Sequence, residues 1–245
     1  MDDISKLQDL IDNSNHIVFF GGAGVSTESG IKDFRGKDGL YKEKNKYSNL
    51  PPEYLLSHSC LVFDTELFFD YYKNKMDSRG AKPNITHKYL TKLEKNGKLK
   101  AIITQNIDGL HQKAGSKNVL EVHGTTYKCH CMKCNKEYSG DIIFESSGIP
   151  KCECGGIIRP NVTLYEESLP EDFMKARDEI RKADLLIVAG TSLTVQPASS
   201  LVGEFQGKHL VIINEDYTPY DYLAELIINK PLGEIFSKLK IKTSK

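Results

Sequence analysis

The chain has no excess of charge of either sign: 33 Lys and Arg stand against 33 Asp and Glu in 245 residues. That balance removes the general electrostatic argument for nucleic acid or an anionic membrane surface as a partner. The lysine-rich stretch 42–46 does not restore it, because Glu43 and Asn45 interrupt it and leave a solvated surface. No apolar run approaches the ~20 residues that a membrane-spanning helix needs. The first ten residues, MDDISKLQDL, lack a basic region followed by a long apolar one, so no secretory signal is expected. A cytoplasmic monomer is the expectation. Internal repeats and low-complexity tracts are missing, and so is a disulfide framework: five of the six cysteines bunch between Cys129 and Cys154, as metal ligands do.

What is present is length enough for one large domain carrying a smaller inserted module. Ile4, Leu7, Leu10 and Ile11 share one face of a predicted helix over Ile4–Asn13. Strands are expected at Ile17–Phe20, Ala101–Thr104, Val119–Val122, Asp184–Ala189 and Leu210–Ile213. The longer of these are continuous apolar runs, suited to parallel strands covered on both faces. Helical stretches are expected over Pro51–Met76, from Asn84 to a stop at Asn96-Gly97, over Glu171–Lys182 and near Pro197–Glu204. This alternation predicts an α/β fold with a doubly wound parallel sheet.

The segment 127–158 breaks the rhythm, being short, polar and turn-rich. Cys131-x-x-Cys134 and Cys152-x-Cys154 give four thiolates at a spacing that suits tetrahedral zinc. The second pair is one residue shorter than the usual knuckle. An i, i+2 pair in extended backbone still puts both sulfurs on one face. Cys129 and His130 are spare donors. A full thiolate shell leaves no open coordination position, so the metal is expected to be structural. Cys60 stands apart as an ordinary thiol.

Four predicted strands empty into polar turns. Ile17–Phe20 runs into Gly21–Gly36, GGAGVSTESGIKDFRG, where glycines and small hydroxyl residues should open a helix and cradle phosphate. Ile102–His111 reads IITQNIDGLH, Leu120–Gly124 reads LEVHG, and Ala189–Leu193 reads AGTSL. Ligands of open α/β sheets bind outside the carboxyl ends of the strands, so these turns point at one crevice. Taken singly each is ordinary. Asn106 and Asp108 suit a turn that Gly109 completes, and Gly22-x-Gly24-x-x-Thr27 lacks the third glycine of a dinucleotide fingerprint.

Together these segments, with Asn214 after LVII and with RPNVTLYEE at Arg159–Glu167, closely resemble the sirtuin family of NAD-dependent protein deacylases, in its bacterial type. The resemblance covers essentially the whole chain. It implies a Rossmann-like NAD-binding domain from 1–36, 80–126 and 159–245, a helical insertion with the cofactor loop at 37–79, and a zinc-binding module at 127–158. It also implies roles. Ala23, Gly24 and Thr27 contact the pyrophosphate and nearby ribose; Gly190, Thr191 and Ser192 serve the phosphate and adenosine end, with Asn214 on the adenosine ribose. Phe34 and Arg35 belong to a flap over the cofactor. Gln105 and Asn106 hold the nicotinamide ribose. Ile31, Phe34 and Asp108, with Ile107 beside them, line the nicotinamide pocket. His123 is the general base. Val162, Leu164, Tyr165 and Glu166 form an extended edge for an acetyl-lysine peptide. The metal ligands are Cys131, Cys134, Cys152 and Cys154.

The chain departs from the family pattern in places. Lys32 stands where proline is common, bringing a cation to the flap, and Tyr165-Glu166 replaces a common Phe-Gly. Family members that remove succinyl or malonyl groups carry a Tyr-x-x-Arg pair; the matching stretch here, Phe69–Tyr72, has no arginine. The expected function is therefore NAD-dependent removal of acetyl or another uncharged acyl group from lysine. The alternatives are an ADP-ribosyltransferase or NAD glycohydrolase, against which His123 argues, and a non-catalytic zinc-ribbon module on a nucleotide sensor. A hydride-transferring dehydrogenase is disfavoured, because the ribose-binding acid expected ~20 residues past the glycines falls in the polar stretch 42–45.

Overall fold

The computed structural model describes residues 2–37, 39–44 and 46–242; Asn45, the break in the lysine-rich stretch, lies outside the described residues. Helix α1 (Asp3–Asn13) starts where the Asp2 carboxylate accepts the Ser5 N–H at 2.7 Å, and it buries Leu7 and Ile11. Strand β1 (Ile17–Gly21) is buried throughout. Three short helices follow, α2 (Pro52–Leu55), α3 (His58–Phe63) and α4 (Thr65–Lys75), then α5 (Ile85–Lys95) behind an Asn84–His87 capping box. Strand β2 (Leu99–Thr104), helix α6 (Leu110–Ala114) and strand β3 (Val119–Glu121) come next. After them lie β4 (Gly124–Cys131), β5 (Glu137–Ser139), helix α7 (Asp141–Glu145) and β6 (Ile158–Val162). Then come α8 (Asp172–Lys182), β7 (Leu185–Ala189), β8 (His209–Ile213), β9 (Leu226–Ile228) and α9 (Leu232–Phe236).

The large sheet is six-stranded and parallel, in the order β3-β2-β1-β7-β8-β9. Its strands are apolar at successive positions because both faces are covered. Ile17, Phe19, Ile102, Leu185, Ile187, Val211 and Ile213 enter one core cluster with α1, α5 and α9. Val18, Phe20, Ala101, Ile103, Leu186, Val188, Leu210 and Ile212 enter the other with α8. Each fully buried Ile, Leu or Phe contributes ~1.5–3 kcal/mol relative to exposure, so the continuous runs drive this sandwich. The order reverses at β1, which pairs with β2 on one side and β7 on the other. The ends of those three strands therefore flank the crevice of a doubly wound sheet.

The strands anticipated from the sequence are present within a residue or two. The short β9 and α9 were not anticipated. Three local expectations are corrected. The glycine-rich stretch does not open an α-helix: it makes two single 3₁₀ turns, Ala23–Val25 and Thr27–Ser29, and stops at Gly30, whose φ of 85° ends the turn. The helical stretch over Pro51–Met76 is three helices. Ser57 leaves the helix to pair with Tyr165 and caps α3 by accepting the Cys60 N–H at 3.0 Å. The Pro197–Glu204 stretch is a 3₁₀ helix over Ala198–Glu204.

Strands β5-β4-β6 form a small antiparallel sheet. Its buried Cys129 and Ile158, with Ile143 of α7, pack with Leu55, Phe68, Phe69 and Tyr72 of the short helices in one cluster. Tyr72 stacks between Phe68 and Phe144, at 5.6 and 5.8 Å between ring centroids. The cysteine segment, too polar to make a core alone, thus borrows one from the helices. Among the described residues no helix is long and apolar enough to cross a membrane.

Candidate active site

Strands β1 and β7 end in the two small-residue turns, and these lie backbone against backbone. Gly22 N–H donates to Ala189 O at 3.2 Å and Gly24 N–H to Gly190 O at 2.8 Å. A Cβ on Gly24 would sit 2.8 Å from Gly190 Cα, and one on Gly22 would sit 2.7 Å from Thr191 Cβ. The glycines are required by this contact, whatever else they approach. From β2, Gln105 Nε2 donates to Thr191 Oγ1 at 3.0 Å and Asn106 Nδ2 to Gly22 O at 3.0 Å. The three strand ends are one hydrogen-bonded unit.

They floor a cavity of ≈ 810 Å³. Every nucleotide, flap, pocket, base and peptide residue expected from the sequence lines it, except Thr27. The Thr27 hydroxyl turns back to donate to Gly24 O at 3.0 Å. Ser26, Tyr41, Leu56 and Tyr72 also line the cavity and were not anticipated. Ser26 is the most consequential of these. It is buried, it donates to Asp108 Oδ2 at 2.6 Å, and it accepts from Asn106 Nδ2 at 3.1 Å. A serine inside a glycine-rich turn reads as a turn former, so its sequence context carried no separate signal.

Asp108 keeps its turn role as well, with Oδ1 accepting the Leu110 N–H at 2.9 Å before Gly109 (φ 63°) leads into α6. Burial raises its pKa, opposed by the Ser26 and Leu110 bonds. His123 follows β3. Its Nδ1 lies 3.0 Å from Gln105 O, which can only accept, so Nδ1 carries the proton and Nε2 keeps its lone pair. Burial lowers the pKa of His123 against the opposing pull of that carbonyl, leaving the ring neutral at neutral pH. Gly124 (φ 74°) is required next to it, because a Cβ there would meet Asn161 O at 2.1 Å.

The flap, Ile31–Gly36, is held to the segment after it: Leu40 N–H donates to Asp33 O at 2.8 Å and Tyr41 N–H to Phe34 O at 3.0 Å. Lys32 directs its charge at Glu43, 3.9 Å away. On the opposite wall, Val162 and Leu164 are buried. The extended run there is shorter than expected. Asn161 and Val162 already pair with β4, and Glu166 (φ 76°) turns the chain. Glu166 accepts from the N–H and hydroxyl of Ser59 at 2.9 and 2.7 Å. The turn is braced by Arg159, whose guanidinium bonds Glu167 (Nη2 to Oε2, 2.9 Å), and by the Leu164 N–H on the same carboxylate oxygen at 3.0 Å. Burial opposes the charge of Glu167, but these bonds win and hold its pKa down to about 2.

The sulfurs of Cys131, Cys134, Cys152 and Cys154 all lie within 4.8 Å of one another. The Cys131–Cys154 and Cys134–Cys152 separations are 3.5 and 3.6 Å, near the ~3.8 Å edge of a tetrahedron with 2.3 Å zinc–sulfur bonds. The donor set fits structural zinc. The short CxC pair reaches because Cys152 N–H donates to Gly156 O at 2.8 Å, curling the loop. The two spare donors are elsewhere: Cys129 is buried in the shared core, and His130 Nδ1 bonds Asn161 at 2.6 Å. Cys60 is a core thiol, its pKa pushed up to about 11 by burial.

Known proteins resemble this chain over nearly its whole length. A protein of Clostridium perfringens (strain 13 / Type A) named NAD-dependent protein deacetylase is 53% identical over 243 residues, covering 98% of this chain and 99% of its own. One of the same name from Clostridium tetani (strain Massachusetts / E88) is 53% identical over 96% of each chain. Among solved structures, "Sir2-p53 peptide-NAD+" superposes with a TM-score of 0.86 at 37% identity, and "Sir2 bound to acetylated peptide" with 0.86 at 35%, each over 97% of both chains. The model of the Sir2 family matches residues 22–197. With that match spanning the glycine turns, the His123 loop and the cysteine module, the chain belongs to the Sir2, or sirtuin, family.

Proposed function

We propose that this chain is an NAD-dependent protein-lysine deacetylase, releasing nicotinamide, free lysine and O-acetyl-ADP-ribose. One observation carries the reading: a neutral His123 with a free Nε2 lone pair shares a cavity with the paired glycine turns and the apolar wall of Val162 and Leu164. Bound NAD supplies an electrophilic ribose carbon and a nicotinamide leaving group. The chain's own groups do the rest. The Gly22–Gly24 and Gly190–Ser192 turns seat the phosphates, with Asn214 at the adenosine ribose. Gln105 and Asn106, fixed by Thr191 and Gly22, orient the nicotinamide ribose, and positioning of this kind contributes heavily to rate. Asp108, steadied by Ser26, holds the carboxamide beside Ile31 and Ile107. His123 Nε2 takes a proton from a ribose hydroxyl, and the Nδ1 bond keeps it in the tautomer able to do so. Phe34 and Arg35 exclude water. Zinc on the four cysteines fixes the β4–β6 module and takes part in no step.

The chain is read as an NAD-binding unit with two insertions, 37–79 and 127–158, acting as a cytoplasmic monomer on acetyl-lysine proteins. The acyl group is uncharged: the stretch Phe69–Tyr72 carries no arginine to pair with an acyl carboxylate, and Phe69 and Tyr72 are buried in an aromatic cluster. The test is incubation with NAD and matched acetyl- and succinyl-lysine peptides, followed by mass. Loss of acetyl with succinyl retained is expected. Preferential loss of succinyl would contradict the acyl assignment, and loss of neither would contradict the activity.

A further inference from the structure

Tyr165 joins the wall read as the peptide edge to the flap read as the cofactor cover. Its backbone is fixed on both sides: its N–H donates to Leu56 O at 3.0 Å, and its carbonyl accepts the His58 N–H at 3.1 Å. Two residues earlier, Thr163 N–H donates to the carbonyl of His123 at 2.9 Å. The ring therefore projects from a wall that is also tied to the base. Its hydroxyl crosses to the flap, accepting from Arg35 Nη2 at 3.2 Å and sharing a hydrogen bond with the Tyr41 hydroxyl at 3.3 Å. A hydroxyl stands here where the family commonly has phenylalanine.

On the flap side these contacts reach further. The Arg35 guanidinium lies over the Tyr41 ring, 5.1 Å from its centroid, and the Phe34 ring meets Tyr41 edge-on at 5.4 Å. Among the described residues, Arg35 also pairs with the carboxylate of Glu53, at 3.5 Å and about half exposed, which is a weak restraint. Burial works against the Arg35 charge, and the Tyr165 bond and its neighbours outweigh it, holding the pKa above its usual value. One phenol hydroxyl thus connects the peptide wall to Arg35, Tyr41 and, through them, Phe34.

We infer that Tyr165 is a positioning residue coupling the two substrates. Peptide seated along the wall fixes the Tyr165 ring, the hydroxyl fixes Arg35 and Tyr41, and the nucleotide meets a preset flap. By linkage, nucleotide favours peptide by the same factor. The inference rests on the deacetylase reading above, which assigns the wall to the peptide and the flap to NAD.

The experiment measures ADP-ribose affinity by calorimetry on the whole protein, with and without saturating acetyl-lysine peptide. In the wild type the peptide tightens ADP-ribose about five-fold or more. Tyr165→Phe, which keeps the ring, brings that ratio close to one. Tyr41→Phe lowers it from the flap side, and adding it to Tyr165→Phe changes nothing further, as expected for groups acting in one tie. In turnover, Tyr165→Phe raises the KM for NAD more than it lowers kcat. A ratio in Tyr165→Phe equal to the wild-type ratio, in an enzyme that deacetylates peptide, overturns the coupling alone. A wild type that releases no nicotinamide with the peptide overturns the reading beneath it as well.

Discussion

His123 shows how much of the chemistry is set by one bond. A histidine following a strand is ordinary; what suits this one to the proposed role of base is the Gln105 carbonyl on Nδ1, which leaves Nε2 to accept. His123→Ala should lower kcat by ~10²–10⁴-fold while nucleotide binding persists, measured by turnover and calorimetry. The pH profile carries a sign. The base works deprotonated, and burial lowers its pKa, so the acidic limb of kcat/KM should fall below the ordinary ~6.5. A limb at or above that value would contradict the assignment. At this scale the sequence was informative, because Gln, Asn, Asp and His at strand ends stand out against apolar runs. It was silent on Ser26, since a serine in a glycine-rich turn reads as a turn former. Only its contact with Asp108, 82 positions away, reveals its use.

The elements that bear the site are short, and their ends matter more than their lengths. The break between α2 and α3 is made by Ser57, whose pairing with Tyr165 was invisible in a stretch of helical composition. The turn after β6 depends on Arg159 and Glu167, a pair with 10% and 19% side-chain exposure. Glu167→Gln should destabilise the protein by about 3 kcal/mol, read from chemical unfolding at neutral pH, because it leaves Arg159 unmatched. The folded pKa of Glu167, about 2, lies below the unfolded ~4.3, so this contribution is complete above ~4.3 and declines as pH falls toward 2. The cysteine loop is the other element held by side chains. The spacing identified all four sulfurs that cluster, although the curl that lets CxC reach is set by Gly156. Cys154→Ser should lose zinc, by metal analysis, and lower Tm; retained stoichiometric zinc would contradict the ligand set.

Across the whole molecule, the large sheet was legible because strands buried on both faces are written as continuous apolar runs. The shared core of the small sheet and the helices was not. Phe68 and Tyr72 meet Cys129 and Ile158 across long sequence separations, and neither segment announces the other. That core holds the wall of Val162 and Leu164 on the same cavity as the glycine turns. In the proposed reaction both substrates meet in that cavity. The direct test is nicotinamide release from NAD, measured with and without an acetyl-lysine peptide. Release that requires the peptide and matches deacetylation one for one is expected. Release at the same rate without peptide would contradict it.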